Sequence, residues 1–112
     1  MDERIAKWLI DIKTAIEEIE FFTQNLSLTF QEYQSNLLIK RAVERDLEII
    51  GEAINKILKK DASYAEKITS AKDIIGFRNI IVHAYDNISD ENVWSILTYH
   101  LPILKKEILG YL

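Results

Sequence analysis

Apolar residues recur at intervals of three and four through almost all of the chain, the spacing that lays a stripe along one side of an α-helix. Nowhere does this give way to the alternation of a half-buried strand, so the pattern predicts an all-α protein. Ile5, Trp8, Leu9, Ile12, Ile16 and Ile19 form the first stripe, with Asp2 as N-cap and an end near Phe22. Residues 23–28 break the pattern. Thr29-Phe30-Gln31-Glu32 then has the form of a capping box, in which Thr accepts from the third residue's amide and Glu reaches back. A second helix is expected to run from there to about Lys60, roughly 45 Å at 1.5 Å per residue, with Ile39, Val43, Ile50, Ile54 and Ile57 centring its apolar arc.

A short helix is expected over residues 62–68. Ser70-Ala71-Lys72-Asp73 again sets Ser three residues before an acid and should open the next helix. Residues 86–90 supply its stop and another cap, and Val93, Trp94, Leu97, Leu101 and Leu104 stripe the last helix. Pro102 should kink that helix, and Gly110 is placed to cap its end. With three glycines and one proline in 112 residues, and no linker or repeat, the economical architecture is a four- to five-helix up-and-down bundle, one domain over residues 1–112.

Charge narrows the partners. A formal net charge of −4 argues against a general polyanion-binding surface and leaves room for a few placed cations. Arg41, Arg45, Glu48 and Glu52 fall within about 60° of one another away from the apolar arc of the second helix, either as a solvated face or as a second interface. The absence of cysteine, of a leader-like start and of a long apolar run makes a reducing, cytoplasmic location the expectation, with no membrane span.

The most chemically loaded stretch is Arg78-Asn79-Ile80-Ile81-Val82-His83-Ala84-Tyr85. On a helical wheel Ile74, Ile75, Phe77, Ile80, Ile81, Val82, Ala84 and Tyr85 make one broad apolar arc with Arg78 inside it. A guanidinium there needs a carboxylate such as Glu44, Glu48 or Glu52, a phosphate, or an aqueous cleft. Asn79 and His83 share one side of the helix, and Arg78 and Tyr85 another. Arg78 and His83 then diverge by about 140°, so they meet only if the helix loosens at Val82 or His83 or if a second copy supplies the complement. A phosphodiester-cleaving site needs a proton carrier near neutral pH and a fixed cation for charge developing on phosphoryl oxygens. His83 and Arg78 have the chemistry for these roles, although a histidine at a helix end also serves as a cap. Asp86 is available to orient the imidazole, or simply to close the helix. His100, beside Pro102, is expected to satisfy backbone groups freed by the kink.

Other chemistries find little support. Two histidines 17 residues apart, with no cysteine, make a poor metal set, and the isolated glycines at 51, 76 and 110 form no phosphate loop. Any enzyme here is expected to be metal-independent and to need no cofactor.

The octet fits the pattern Arg-x4-His-x-Tyr and closely resembles the HEPN superfamily, specifically HepT-type toxins of MNT/HEPN toxin–antitoxin modules. Arg41-Ala42-Val43-Glu44-Arg45 with Ile49-Ile50-Gly51-Glu52-Ala53 resembles the family's second helix, and Ile75-Gly76-Phe77-Arg78-Asn79 with Val93-Trp94 its carboxy-terminal half. The resemblance implies a homodimeric, metal-independent ribonuclease, with Arg78 stabilising the transition state and His83 as acid-base. Asn79 would position His83 or the phosphate, with Asp86 in support. It also implies an MNT-type nucleotidyltransferase antitoxin that transfers AMP to the motif tyrosine, here Tyr85. Ala84 stands where the family often has aspartate, which leaves the positioning of His83 to Asp86 or to a partner chain. The competing expectation is a non-catalytic helical adaptor of a nucleotidyltransferase, with Arg78 an ion-pair residue and His83 a cap.

Overall fold

The structure is a computed structural model that describes residues 1–25, 27–83, 86 and 88–112. Among the described residues every regular element is helical: α1 (Glu3–Phe22), α2 (Phe30–Ser35), α3 (Leu37–Lys60), α4 (Tyr64–Lys67), α5 (Ala71–His83), α6 (Asp90–Ser95) and α7 (Leu101–Tyr111). A π-turn over Ile96–His100 joins the last two. The all-α helical bundle expected from the apolar spacing is what forms.

The caps act as their residue types dictate. Asp2 accepts from the amides of Arg4 and Ile5 at 2.7 and 3.2 Å, which holds its carboxyl below its ordinary range. Thr29 and Glu32 bond reciprocally, each at 3.1 Å. The helix expected from residue 29 to about 60 is, however, two helices. Asn36 leaves helical backbone at φ −108° and ψ 94°, and its side chain accepts from the Ile39 amide at 3.0 Å. A short polar side chain that bonds nearby backbone competes with helix continuation, and here it turns α2 away and caps α3. The 24 residues of α3 span about 36 Å, nearly the 41 Å long dimension of the molecule.

Helix α3 is the central strut, packed against α1 on one side and α5 on the other, with α2 and α4 at its ends. Leu9, Ile12, Ile16 and Ile19 of α1 meet Val43, Leu47, Ile50, Ile54 and Ile57 of α3, all essentially inaccessible, while Trp8 is only half-buried. Each such side chain contributes about 1.5–3 kcal/mol on burial. On the far side Ile74, Phe77 and Ile81 of α5 are buried, and Leu101, Leu104 and Ile108 of α7 complete the same core. Trp94 of α6 lies against Tyr33 and Phe30 of α2, at 5.6 and 5.7 Å between ring centres.

The last helix is irregular just ahead of Pro102, and its end differs from the expected one. Pro102 sits in the first turn of α7, and the strain it would impose on a continuous helix is taken up ahead of it by the π-turn, where the Leu101 amide reaches back five residues to Ile96. Gly110 lies inside α7 and does not end it. Lys105 bonds Glu20 of α1 at 2.9 and 3.0 Å, and Tyr111 donates to the Lys67 carbonyl at 2.8 Å, which fastens α7 at both sides. No helix among the described residues is long and apolar enough to cross a membrane.

One buried acid marks the α1–α3 seam. Burial, then the charge of Glu18 and a hydrogen bond with it, push the Asp46 carboxyl up to about 7 from 3.8. The folded chain therefore holds a proton that the unfolded chain releases, so stability falls as pH rises from about 4 through 7. Asp46→Asn keeps a donor toward Glu18 without the charge. Thermal unfolding should show the variant melting higher than the parent at pH 8, with the gap closing toward pH 4. A gap that is constant across this range would contradict the assignment.

Candidate active site

Helix α5 begins at Ala71, but Ser70 does not cap it in the way its spacing to Asp73 suggests. The buried Ser70 hydroxyl lies 2.8 Å from Nδ1 of His100 in the π-turn, and its carbonyl accepts from the Ile74 amide at 3.0 Å. His100 thus ties the start of α5 to the π-turn, a partner quite different from the kink carbonyls expected for it. At the other end Lys40, near the start of α3, bonds Asp90 at the start of α6 at 3.1 Å, with both side chains largely buried. These two bridges fix α6 and the π-turn relative to α3 and α5.

Arg78 leans across α3 at Gly51. A Cβ placed on Gly51 would collide with Cβ of Arg78 and lie 2.8 Å from its Cγ. The hydrogen at Gly51 is what allows the two helices to approach so closely. The guanidinium then donates from Nη1 to Asn79 Oδ1 at 3.1 Å, while its Nε is buried with no hydrogen-bond partner among the described residues. The carboxylates expected to neutralise it are engaged elsewhere or do not reach it. Glu44 is buried and held by Arg41 at 3.0 Å, Glu52 pairs with Lys56 at 3.5 Å, and no ion pair joins Glu48 to Arg78. A buried N–H without an acceptor costs about 1–3 kcal/mol, and no carboxylate among the described residues pairs with the half-buried Arg78.

His83 is the last residue of α5 and is exposed. The helix remains α-helical through it, so no loosening at Val82 or His83 brings the imidazole round to Arg78, and the two project about 140° apart. Asn79 lies one turn before His83 and is exposed with it, yet it reaches Arg78 next door, linking the two sides of the motif. Asp86 is exposed, and no hydrogen bond or ion pair joins it to His83 among the described residues. Tyr85, the motif tyrosine, lies outside the described residues, as does Ala84. The buried arc of α5 is narrower than the wheel suggests: Ile74, Phe77 and Ile81 are inside, whereas Ile80 and Val82, within the motif, are 38% and 36% exposed. No group of three or more His, Asp or Glu among the described residues converges as a metal-ligand set.

The charged ladder of α3 divides. Glu52 turns to Lys56, whereas Arg41, Arg45 and Glu48 line a cleft with Glu44, Ile81 and Ile88, beside the end of α5. Gly51 was visible in the sequence only as a glycine inside a run of strong helix formers. Such a residue costs up to about 1 kcal/mol relative to alanine and so signals a close approach. The Lys40–Asp90 and Ser70–His100 bridges, at separations of 50 and 30 residues, carry no local signal.

Comparison with known proteins identifies the family. A family model described as Ribonuclease HepT-like matches residues 12–109. "Putative RNase MJ1216" of Methanocaldococcus jannaschii is 36% identical over 103 residues, covering 92% of this chain and 83% of the relative. "Putative RNase MJ1380" of the same organism is 34% identical over 111 residues, covering 96% of this chain and 97% of the relative. "Probable ribonuclease HepT" of Thermococcus cleftensis is 32% identical over 98 residues, covering 88% and 86%. No solved structure gives a significant match. The chain belongs to the HepT-like ribonuclease family of the HEPN superfamily.

The two inner glycines should respond oppositely to the same substitution. Gly51→Ala forces α3 and α5 apart and should lower stability by about 1–3 kcal/mol. Gly76→Ala adds a methyl where nothing lies within 4 Å and should raise stability by up to about 1 kcal/mol. Denaturant unfolding measures both, and equal shifts would contradict the packing described for Arg78.

Proposed function

We propose that this ribonuclease cleaves RNA without a metal at a site made from Arg78 of one copy and His83 of another. One observation carries the reading: α5 stays helical through His83, holding the two side chains apart within a copy, while no carboxylate among the described residues pairs with Arg78. Arg78, fixed over Gly51, stabilises the charge that develops on the phosphoryl oxygens. His83 of the second copy accepts the proton of the ribose 2′-hydroxyl, whose oxygen attacks the adjacent phosphorus, and a proton is returned to the departing 5′-oxygen. Asn79 orients the guanidinium. Asp86 supports the imidazole once two copies meet.

The face around His83 supports such an arrangement. Ile80 and Val82 are exposed apolar side chains within the motif, and Gly76 and Ile80 line an open groove of about 470 Å³ against Asn92, Ser95 and His100. A second copy seated along this face covers those side chains and brings its own motif within reach. AMP transferred from ATP to the Tyr85 hydroxyl by an MNT-type nucleotidyltransferase, with pyrophosphate leaving, adds bulk and negative charge to the motif. That charge competes with RNA for Arg78. On this reading the protein is the RNA-cleaving toxin of a toxin–antitoxin pair.

Purified protein incubated with RNA in excess EDTA tests the chemistry. The parent should cleave, and Arg78→Ala and His83→Ala should each be slower by at least about 100-fold while still unfolding cooperatively as folded proteins. Equal residual cleavage by all three would remove both residues from the chemistry. In a parallel arm with the nucleotidyltransferase and ATP, mass spectrometry should find AMP on Tyr85 together with loss of cleavage. AMP on another residue, or full cleavage after modification, would reject the switch.

A further inference from the structure

The cleft between α3 and the end of α5, about 240 Å³ in volume, lies outside the Arg78–His83 pair and has its own chemistry. It is smaller than the roughly 300–1,000 Å³ typical of whole small-molecule sites, a size suited to a sugar and a phosphate. Its α5 wall is Ile81, one helical turn beyond Arg78, so an occupant of the cleft lies beside the Arg78 half of the proposed site.

Its polar wall holds two guanidiniums and two carboxylates in different states. Arg41 gives one nitrogen to both oxygens of the buried Glu44 at 3.0 Å, which neutralises that carboxylate and leaves the rest of an Arg41 side chain that is 62% exposed facing outward. Arg45, one turn further on, is exposed and makes no ion pair among the described residues, and neither does the half-buried Glu48. The cleft is therefore electrically balanced and presents one available cation beside one available acceptor. A site for phosphate alone gains nothing from a carboxylate, which would repel it. A ribonucleotide needs both, because it carries an anionic phosphate and a hydroxyl that donates. The 2′-hydroxyl is the group that separates RNA from DNA.

We infer that this cleft is a ribonucleotide subsite, in which Arg45, flanked by Arg41, holds a backbone phosphate next to the scissile one and Glu48 accepts a hydrogen bond from a ribose 2′-hydroxyl. The inference rests on the ribonuclease reading and names how its substrate is recognised. Ile81 and Ile88 pack the apolar face of the sugar. Selection for RNA is then made by a carboxylate–arginine pair in a chain whose overall charge of −4 gives it little general attraction for nucleic acid.

Binding of a short single-stranded RNA and of DNA of the same sequence, measured in the His83→Ala chain across a salt series, tests this without cleavage. Arg45→Ala should weaken both and reduce the slope of log affinity against log salt by about 0.7, the loss of one phosphate contact. Glu48→Ala should leave that slope unchanged and lower the ratio of RNA to DNA affinity about tenfold, the loss of one charge-assisted hydrogen bond. Melting temperatures establish that the variants are folded, and Arg45→Lys should retain the slope. An unchanged slope in Arg45→Ala overturns the subsite. So does a Glu48→Ala variant that binds RNA and DNA more tightly by the same factor, since the carboxylate would then act by repulsion alone. Failure of the RNA to bind overturns it as well. If these variants are silent while the His83-bearing chain still cleaves RNA, the subsite falls and the ribonuclease reading stands. If they shift as expected while that chain cleaves nothing, the cleft remains a ribonucleotide site and the cleavage assignment falls.

Discussion

The approach of α5 to α3 at Gly51 is the constraint on which the site depends. Only a residue without a Cβ allows the backbone at Arg78 to come so close, because the colliding atoms are those nearest the main chain and cannot swing aside. The same contact buries Arg78 Nε and directs the guanidinium toward Asn79. It also fixes the rotation of α5, and so determines that Ile74, Phe77 and Ile81 face the core while Asn79, Ile80 and His83 face outward. Packing energy and chemistry are set together by one missing methyl group.

The remainder of the fold holds that crossing in register. Lys40 with Asp90 and Ser70 with His100 secure the elements before and after the motif, and the π-turn ahead of Pro102 brings His100 to Ser70. A regular helix there would rotate His100 by about one residue, near 100°, away from Ser70. The irregularity thus has a local cause in proline and a distant effect on α5. Buried polar bridges of this kind add less to stability than the apolar core, but they limit the arrangements open to α5.

Much of this was legible in the sequence because it is local. Asp2, Thr29 and Ser89 cap their helices through side chains acting within a turn, and the Ile-rich stripes of α1 and α3 follow from helical periodicity. Asn36 was missed because Gln, Ser, Asn and Leu around it are compatible with helix, and its break is decided by one side chain bonding backbone. The motif residues were visible as types, and the divergence of Arg78 from His83 follows from five residues of helix. Their surroundings were not visible, because Gly51, the partner of Glu44 and the exposure of Ile80 and Val82 depend on which helices meet. Membership of the HepT-like family was readable from the octet together with the α3 signature, since these bring distant parts of the chain into one pattern.

A helix that keeps its cation and its imidazole 140° apart within one copy is the ground for the proposal that catalysis is shared between copies. The most direct measurement mixes separately purified Arg78→Ala and His83→Ala chains under conditions that exchange subunits and follows RNA cleavage. Each variant alone lacks one half of every site, whereas a mixed pair contains one complete site, so random exchange should restore about a quarter of the parent activity. A mixture no more active than either variant would show that Arg78 and His83 do not work across two copies.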